Sequence, residues 1–188
     1  MKRSLVHLTI SGLLIATGIA IPMFAPKIIL PPASFTLASH VVIFLAMFIS
    51  PAMAVTVAAG TTIGFFLGGF PLVVVLRAAS HIVFAAAGAL YLAKSQNTLV
   101  CPLRLRVFSL SVAILHAAGE LIVVGAFILS GGIDPAAYRQ GFLSVFLLVG
   151  LGTVVHSMVD FEIANAIRLA TRKQILSLRT PLNPSCKK

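Results

Sequence analysis

The sequence predicts an all-α integral membrane protein built as a single bundle of six transmembrane helices. Two observations carry the class: 59% of the 188 residues are hydrophobic with a mean hydropathy of +1.08, and only 10% are charged, against about 25% in an ordinary soluble domain. At about 20 apolar residues per crossing helix there is room for about six or seven spans and little else. A separate soluble catalytic or nucleotide-binding domain is thereby excluded. The third observation is the spacing of proline and glycine, which cuts the apolar sequence into helix-sized pieces.

Helix 1 is expected from about Ser4 to Phe24, ending at the Pro22 and Pro26 punctuation. Its apolar run is too long for the h-region of a signal peptide, and further spans follow. Lys27 to Thr36 contains Pro31-Pro32, which cannot continue a helix, and at this hydrophobicity the segment is expected to fold back on the protein. Helix 2, residues 37–49, is short at roughly 20 Å. Ser50-Pro51 then turns the chain into helix 3 (51–69), with Pro51 suited to the first helical position. Gly68-Gly69-Phe70-Pro71 ends helix 3, and helix 4 covers 71–94. After the polar loop from Ser95 to Pro102, helix 5 covers 103–130 and is broken by Gly131-Gly132-Ile133-Asp134-Pro135. Helix 6 is expected over 138–173, becoming amphipathic through Asp160, Glu162, Arg168, Arg172 and Lys173. Residues 1–173 thus form one domain, and the tail, 174–188 with Pro181 and Pro184, is expected to be disordered.

The chain carries 14 Lys and Arg against 4 Asp and Glu, a net charge of +10. In a soluble protein that would point to nucleic acid; here the basic residues fall at segment ends, as a topology signal requires. With the N-terminus inside, the inner side collects Lys2, Arg3, Lys94, Arg104, Arg106, Arg168, Arg172 and Lys173, while the outer loops hold Lys27, Arg139 and Asp134. The expectation is a multi-pass protein of the cytoplasmic membrane with both termini cytoplasmic, in contact with anionic lipid and not with nucleic acid. Cys101 and Cys186 match no metal or redox spacing.

Small residues recur every four positions at Gly12, Ala16 and Ala20 in helix 1 and at Gly60, Gly64 and Gly68 in helix 3. Such stripes let another helix approach closely. For helix 3 the favoured reading is packing within the bundle. Helix 6 carries Gly141, Ser144, Gly150 and Gly152 less regularly.

Ionisable side chains at membrane depth cost about 2.5 to 3.5 kcal/mol on insertion scales and mark function by default. Three pairs stand at i, i+4 on one helix face each: Arg77 and His81, His116 and Glu120, His156 and Asp160. Counted at 1.5 Å per residue from the outer helix ends, Arg77 lies about 9 Å in, His81 and Glu120 about 15 Å, and His116 about 21 Å. With His40 near the outer surface, these residues are expected to converge on a polar cavity roofed by the Pro31 to Thr36 loop. The same count sets His156 and Asp160 deep, near the cytoplasmic face, with Asp160 and Glu162 read as inner salt-bridge or partner contacts. Arg77 and Glu120 have two readings, a buried pair locking helices 4 and 5, or a positive charge for an anionic ligand whose carboxylate the guanidinium fork matches. Each histidine is read equally as a satisfied core residue or as a ligand contact.

His116-x-x-x-Glu120 is not the zinc-protease motif, and neither a nucleophile elbow nor a phosphate-binding loop is present. The expectation is therefore no enzyme, no catalytic residue and no cofactor. A metal site from His40, His81 and His116 is conceivable but has no spacing signature, and none is expected.

Six short hydrophobic helices, the Ala16-x-x-x-Ala20 pair and the apolar loop after helix 1 resemble the substrate-binding S-components of energy-coupling factor (ECF) vitamin transporters over about residues 4 to 173. The stretch from Pro31 to Ala85, with Pro-Pro-Ala-Ser-Phe-Thr-Leu-Ala-Ser-His and Gly-Gly-Phe-Pro-Leu-Val-Val-Val-Leu-Arg-Ala-Ala-Ser-His, is similar to the niacin-type members. The resemblance implies an S-component-like bundle that binds nicotinate or a similar small carboxylate vitamin at the extracellular side. Arg77, His81, Glu120, His116, His40, Ser34 and Phe35 are the substrate-binding candidates. It also implies docking through the Gly12, Ala16 and Ala20 face onto a transmembrane coupling subunit carrying two ATPase subunits, and toppling in the membrane to deliver the ligand. The chain has no Trp and only two Tyr, so ring stacking would fall to Phe35, Phe65, Phe66 or Phe84. The competing class is a self-sufficient proton-coupled transporter or channel using His and Glu as a relay.

Overall fold

Proline and serine set the first sharp boundary inside the bundle. Ser50 stands alone between two helices in extended conformation, its hydroxyl accepts the Met53 N–H at 3.2 Å, and Pro51 takes the first position of the helix that follows, so that one first-turn N–H is capped and the proline has none to satisfy. The computed structural model describes residues 2–30, 33–131 and 146–171. Their elements are α1 (Lys2–Phe24), a hairpin of β1 (Lys27–Leu30) and β2 (Ala33–Thr36), α2 (Val41–Ile49), α3 (Pro51–Leu67), α4 (Leu72–Lys94), a 3₁₀ turn (Gln96–Leu99), α5 (Pro102–Leu129), and a π-helical segment (Phe146–Leu151) running into α6 (Gly152–Ala170). The start expected for helix 6 near Tyr138, Arg139, Gly141, Ser144 and the tail lie outside the described residues.

Four of these stretches are long and apolar enough to cross a membrane: Ser4–Phe24, Leu72–Lys94, Pro102–Leu129 and Phe146–Ala170; α3 is apolar but shorter, at 17 residues. The protein is an all-α membrane bundle, with one departure. The segment after α1 is a two-stranded antiparallel hairpin, pairing Lys27 with Thr36, Ile28 with Phe35, Ile29 with Ser34 and Leu30 with Ala33. Pairing satisfies backbone groups that a proline-broken helix leaves open, and the β-branched Ile28 and Ile29 suit it.

Helix 2 is also shorter than expected. It has nine residues, about 13 Å, because residues 37–40 form a turn in which Ala38 adopts a positive φ of 67°. Seven of the nine are buried, with Phe44, Met47 and Phe48 at most 1% exposed, so α2 is a core helix walled in by others and not a lipid-facing span. Around it pack Phe84 of α4 and Phe161 of α6, the latter 5.3 Å from Phe44 and 5.6 Å from Phe48.

Gly60 and Gly64 serve packing within the bundle. A Cβ at Gly60 would come within 2.5 Å of Ile15 Cδ1, and Ile19 lies as tightly over Gly64. Gly12 and Ala16 of α1 are exposed, and Ala20 is half-buried. At the end of the bundle away from the hairpin, Arg106 pairs with Glu162 and Arg168 Nη2 donates to the Leu99 carbonyl at 3.3 Å.

Candidate functional site

Each i, i+4 pair lies on a different helix, and all three turn their polar face to the same place. Glu120 of α5, 2% exposed, is the first node. Arg77 of α4 donates from Nε to Glu120 Oε2 at 2.7 Å and also from Nη2. His81, one turn on, places Nε2 3.1 Å from Oε1, and Thr153 Oγ1 lies 3.4 Å from Oε2. His116 Nε2 approaches Oε1 at 3.5 Å without a hydrogen bond, and neither ring nitrogen of this 1% exposed side chain has a partner. Both sequence readings of Arg77 meet here: the buried pair forms, and Nη1 makes no hydrogen bond among the described residues.

Asp160 of α6, fully buried, is the second node. Its Oδ1 accepts the Ala38 N–H at 2.8 Å, and its Oδ2 accepts the His40 N–H at 2.9 Å and faces His40 Nδ1 at 3.1 Å. One carboxylate thus holds the turn before α2 and orients the imidazole beside it. Ser39 Oγ lies 3.2 Å from both His40 Nδ1 and His156 Nε2. The expectation that His156 and Asp160 lie deep near the cytoplasmic face, with Asp160 an inner contact, is corrected. The depth count started at Tyr138, which lies outside the described residues, whereas the turn at residues 37–40 brings Ala38 and His40 onto Asp160 and so sets His156 and Asp160 beside the other histidines. Glu162 makes its salt bridge with Arg106, at the end of the bundle away from the hairpin.

His40 is the hub that joins the nodes. Its ring centroid lies 4.5 Å from that of His116, 4.7 Å from His81 and 5.1 Å from His156. It is buried and central, not at the outer surface. Above this cluster is a cavity of about 90 Å³, room for about six to nine water-sized volumes. Phe35 and Phe65 line it together with Arg77, His81, Glu120, His156 and Thr153. Phe35 reaches it by lying across Gly152, where a Cβ would come within 2.7 Å of the ring tip. Of the other phenylalanines considered, Phe84 packs beneath His116 at 4.5 Å, and Phe66 is 66% exposed. Ser34 pairs with Ile29 in the hairpin. Thr153 and Ser39 were not singled out from sequence; hydroxyls in apolar helices and turns carry no signal of their own until the partner carboxylate is placed.

One described relationship bears on identity. Over 165 residues, 87% of this chain and 73% of the other, the sequence is 41% identical to the protein named niacin transporter NiaX of Lactococcus lactis subsp. cremoris (strain MG1363). No family model and no solved structure matches the chain. An apolar helical bundle, a polar cavity within it and identity at this level over most of both sequences lead to one assignment: the chain belongs to the same family as NiaX, the niacin-type S-components of ECF vitamin transporters.

Proposed function

We propose that this membrane protein binds nicotinate, or a closely similar single-ring carboxylate, in the cavity between α4, α5, α6 and the hairpin. The observation that carries this is Arg77, which lines a cavity of about 90 Å³ and, among the described residues, is held to Glu120 through Nε and Nη2 and makes no hydrogen bond from Nη1. Glu120 fixes the guanidinium by Nε and Nη2, so the remaining fork is oriented before the ligand arrives and loses less side-chain freedom on binding. The rings of Phe35 and Phe65 offer apolar faces to a planar ring, and His81 and His156 offer nitrogen donors or acceptors at its edge.

The protein acts in the cytoplasmic membrane with both termini inside, as the distribution of basic residues requires. Uptake is driven by a transmembrane coupling subunit with two ATPase subunits, since the chain has no phosphate-binding loop of its own. The exposed Gly12 and Ala16 face of α1, continued by half-buried Ala20, is the docking face for that coupling subunit. Nicotinate titrated into the purified protein is expected to bind one per chain. Arg77→Ala loses about 10- to 150-fold in affinity, the worth of a charge-assisted hydrogen bond of about 1.5 to 3 kcal/mol. No binding by folded wild-type protein, or undiminished binding by the variant, overturns the assignment.

The packing of the His81, His116 and His40 rings between the carboxylates of Glu120 and Asp160 favours a second reading, a self-sufficient proton-coupled carrier. Nicotinate-dependent proton uptake into liposomes holding this protein alone supports that reading. Turnover only with the coupling subunits supports the first.

A further inference from the structure

Three imidazoles and a carboxylate meet below the cavity without enough hydrogen bonds to go round. One ligand atom from each of His40, His81, His116 and Glu120 lies within 4.8 Å of every other, and all four residues are buried. His116 is the least accounted for: it is 1% exposed and, among the described residues, neither ring nitrogen has a hydrogen-bond partner. An unpaired buried polar group costs about 1 to 3 kcal/mol, so two on one ring call for a partner.

We infer that His40, His81, His116 and Glu120 form a binding site for one divalent transition-metal ion of the Zn²⁺, Co²⁺ or Ni²⁺ class. Three neutral imidazoles and one carboxylate are a borderline nitrogen and oxygen set that suits these ions and not Ca²⁺ or Mg²⁺. With metal–nitrogen bonds of about 2.0 to 2.1 Å, the edges of a tetrahedral site are about 3.3 Å. The His81 to Glu120 separation of 3.1 Å and the His116 to Glu120 separation of 3.5 Å already bracket that edge.

The surroundings are those of a supported ligand set. Asp160, ionised, can only accept, so the His40 Nδ1 at 3.1 Å carries the proton and Nε2 presents its lone pair. This is the carboxylate and histidine relay that orients metal-binding imidazoles. Glu120 divides its oxygens: Oε1 faces the two histidines while Oε2 is held by Arg77 and Thr153. His40, His156 and Asp160 form a second such group, but it would share His40 with the first, and both Asp160 oxygens there already accept the backbone N–H groups of Ala38 and His40. The inference rests on these four residues and not on nicotinate.

The test uses the full chain in detergent, freed of any polyhistidine tag and treated with chelator, titrated with Co²⁺. The expected result is one ion per chain with the visible absorption of a nitrogen-ligated Co²⁺, displaced by Zn²⁺. His116→Gln and His81→Gln each weaken Co²⁺ binding by more than about 100-fold, beyond the range of an outer-shell change, whereas Asp160→Asn weakens it by about 10- to 100-fold. His7→Ala, the one histidine away from the cluster, leaves it unchanged. Folded wild-type protein that takes up no Co²⁺, or uptake that survives both glutamine variants, overturns the site. Nicotinate binding is measured on the same samples with and without metal, so loss of one result leaves the other readable.

Discussion

Two carboxylates govern the polar interior, and they do different work. Glu120 is matched by Arg77 and His81, so its charge is compensated where it stands. Asp160 is spent on backbone: it accepts the N–H groups of Ala38 and His40, and Ala38 sits at φ 67°, a conformation rarely taken by a residue with a Cβ. Asp160→Asn keeps the shape but replaces an acceptor by a donor facing a donor, so the turn is expected to lose about 1 to 3 kcal/mol of support. The expected outcome is a lower melting temperature together with weaker nicotinate binding, read by thermal unfolding and titration. Unchanged values of both would show that the turn holds itself. The convergence of Arg77, His81, His116 and Glu120 was legible in the sequence because two facing helices each carried an i, i+4 pair at matching depth. His156 and Asp160 formed the same pattern, but their depth rested on where the helix begins, and linear counting has no access to that.

Among the elements, the α1 and α3 contact shows what small residues do without a hydrophobic drive. Ile15 and Ile19 occupy the space that side chains at Gly60 and Gly64 would fill, and close van der Waals contact is the main source of helix association in lipid. Gly64→Leu is therefore expected to overpack the seam at a cost of about 1 to 3 kcal/mol, lowering the melting temperature while leaving residual nicotinate affinity in the surviving folded fraction. No change in melting temperature would place that seam among the tolerant contacts. Helix boundaries at Ser50-Pro51 and at Gly68-Gly69 were readable as punctuation. The hairpin was readable only as a segment that cannot be helical, since strand pairing depends on partners three to nine residues away that proline does not name.

Over the whole molecule, the sequence class and the architecture agree: an apolar bundle with polar residues gathered in an interior region, and Arg106 and Arg168 at the end opposite the hairpin. One side of α1 is spent on α3 and the other is bare, with Leu5, Leu8 and Leu13 61 to 70% exposed beside Gly12 and Ala16. Under the proposed function, Ala16→Leu leaves nicotinate affinity within about twofold and abolishes co-purification with the coupling subunit, because a large side chain prevents close helix approach. Normal assembly by this variant would move the docking face elsewhere.

The contact of Phe35 with Gly152 has a consequence for time as well as place. A ring laid on a glycine is held by shape and not by hydrogen bonds, so it can swing aside without stranding a buried polar group. Under the proposed function, escape of a bound molecule past this ring requires Phe35 to leave Gly152. Phe35→Ala is expected to shorten residence far more than it slows capture, as affinity changes commonly fall on dissociation, and stopped-flow measurement of both rates would separate them.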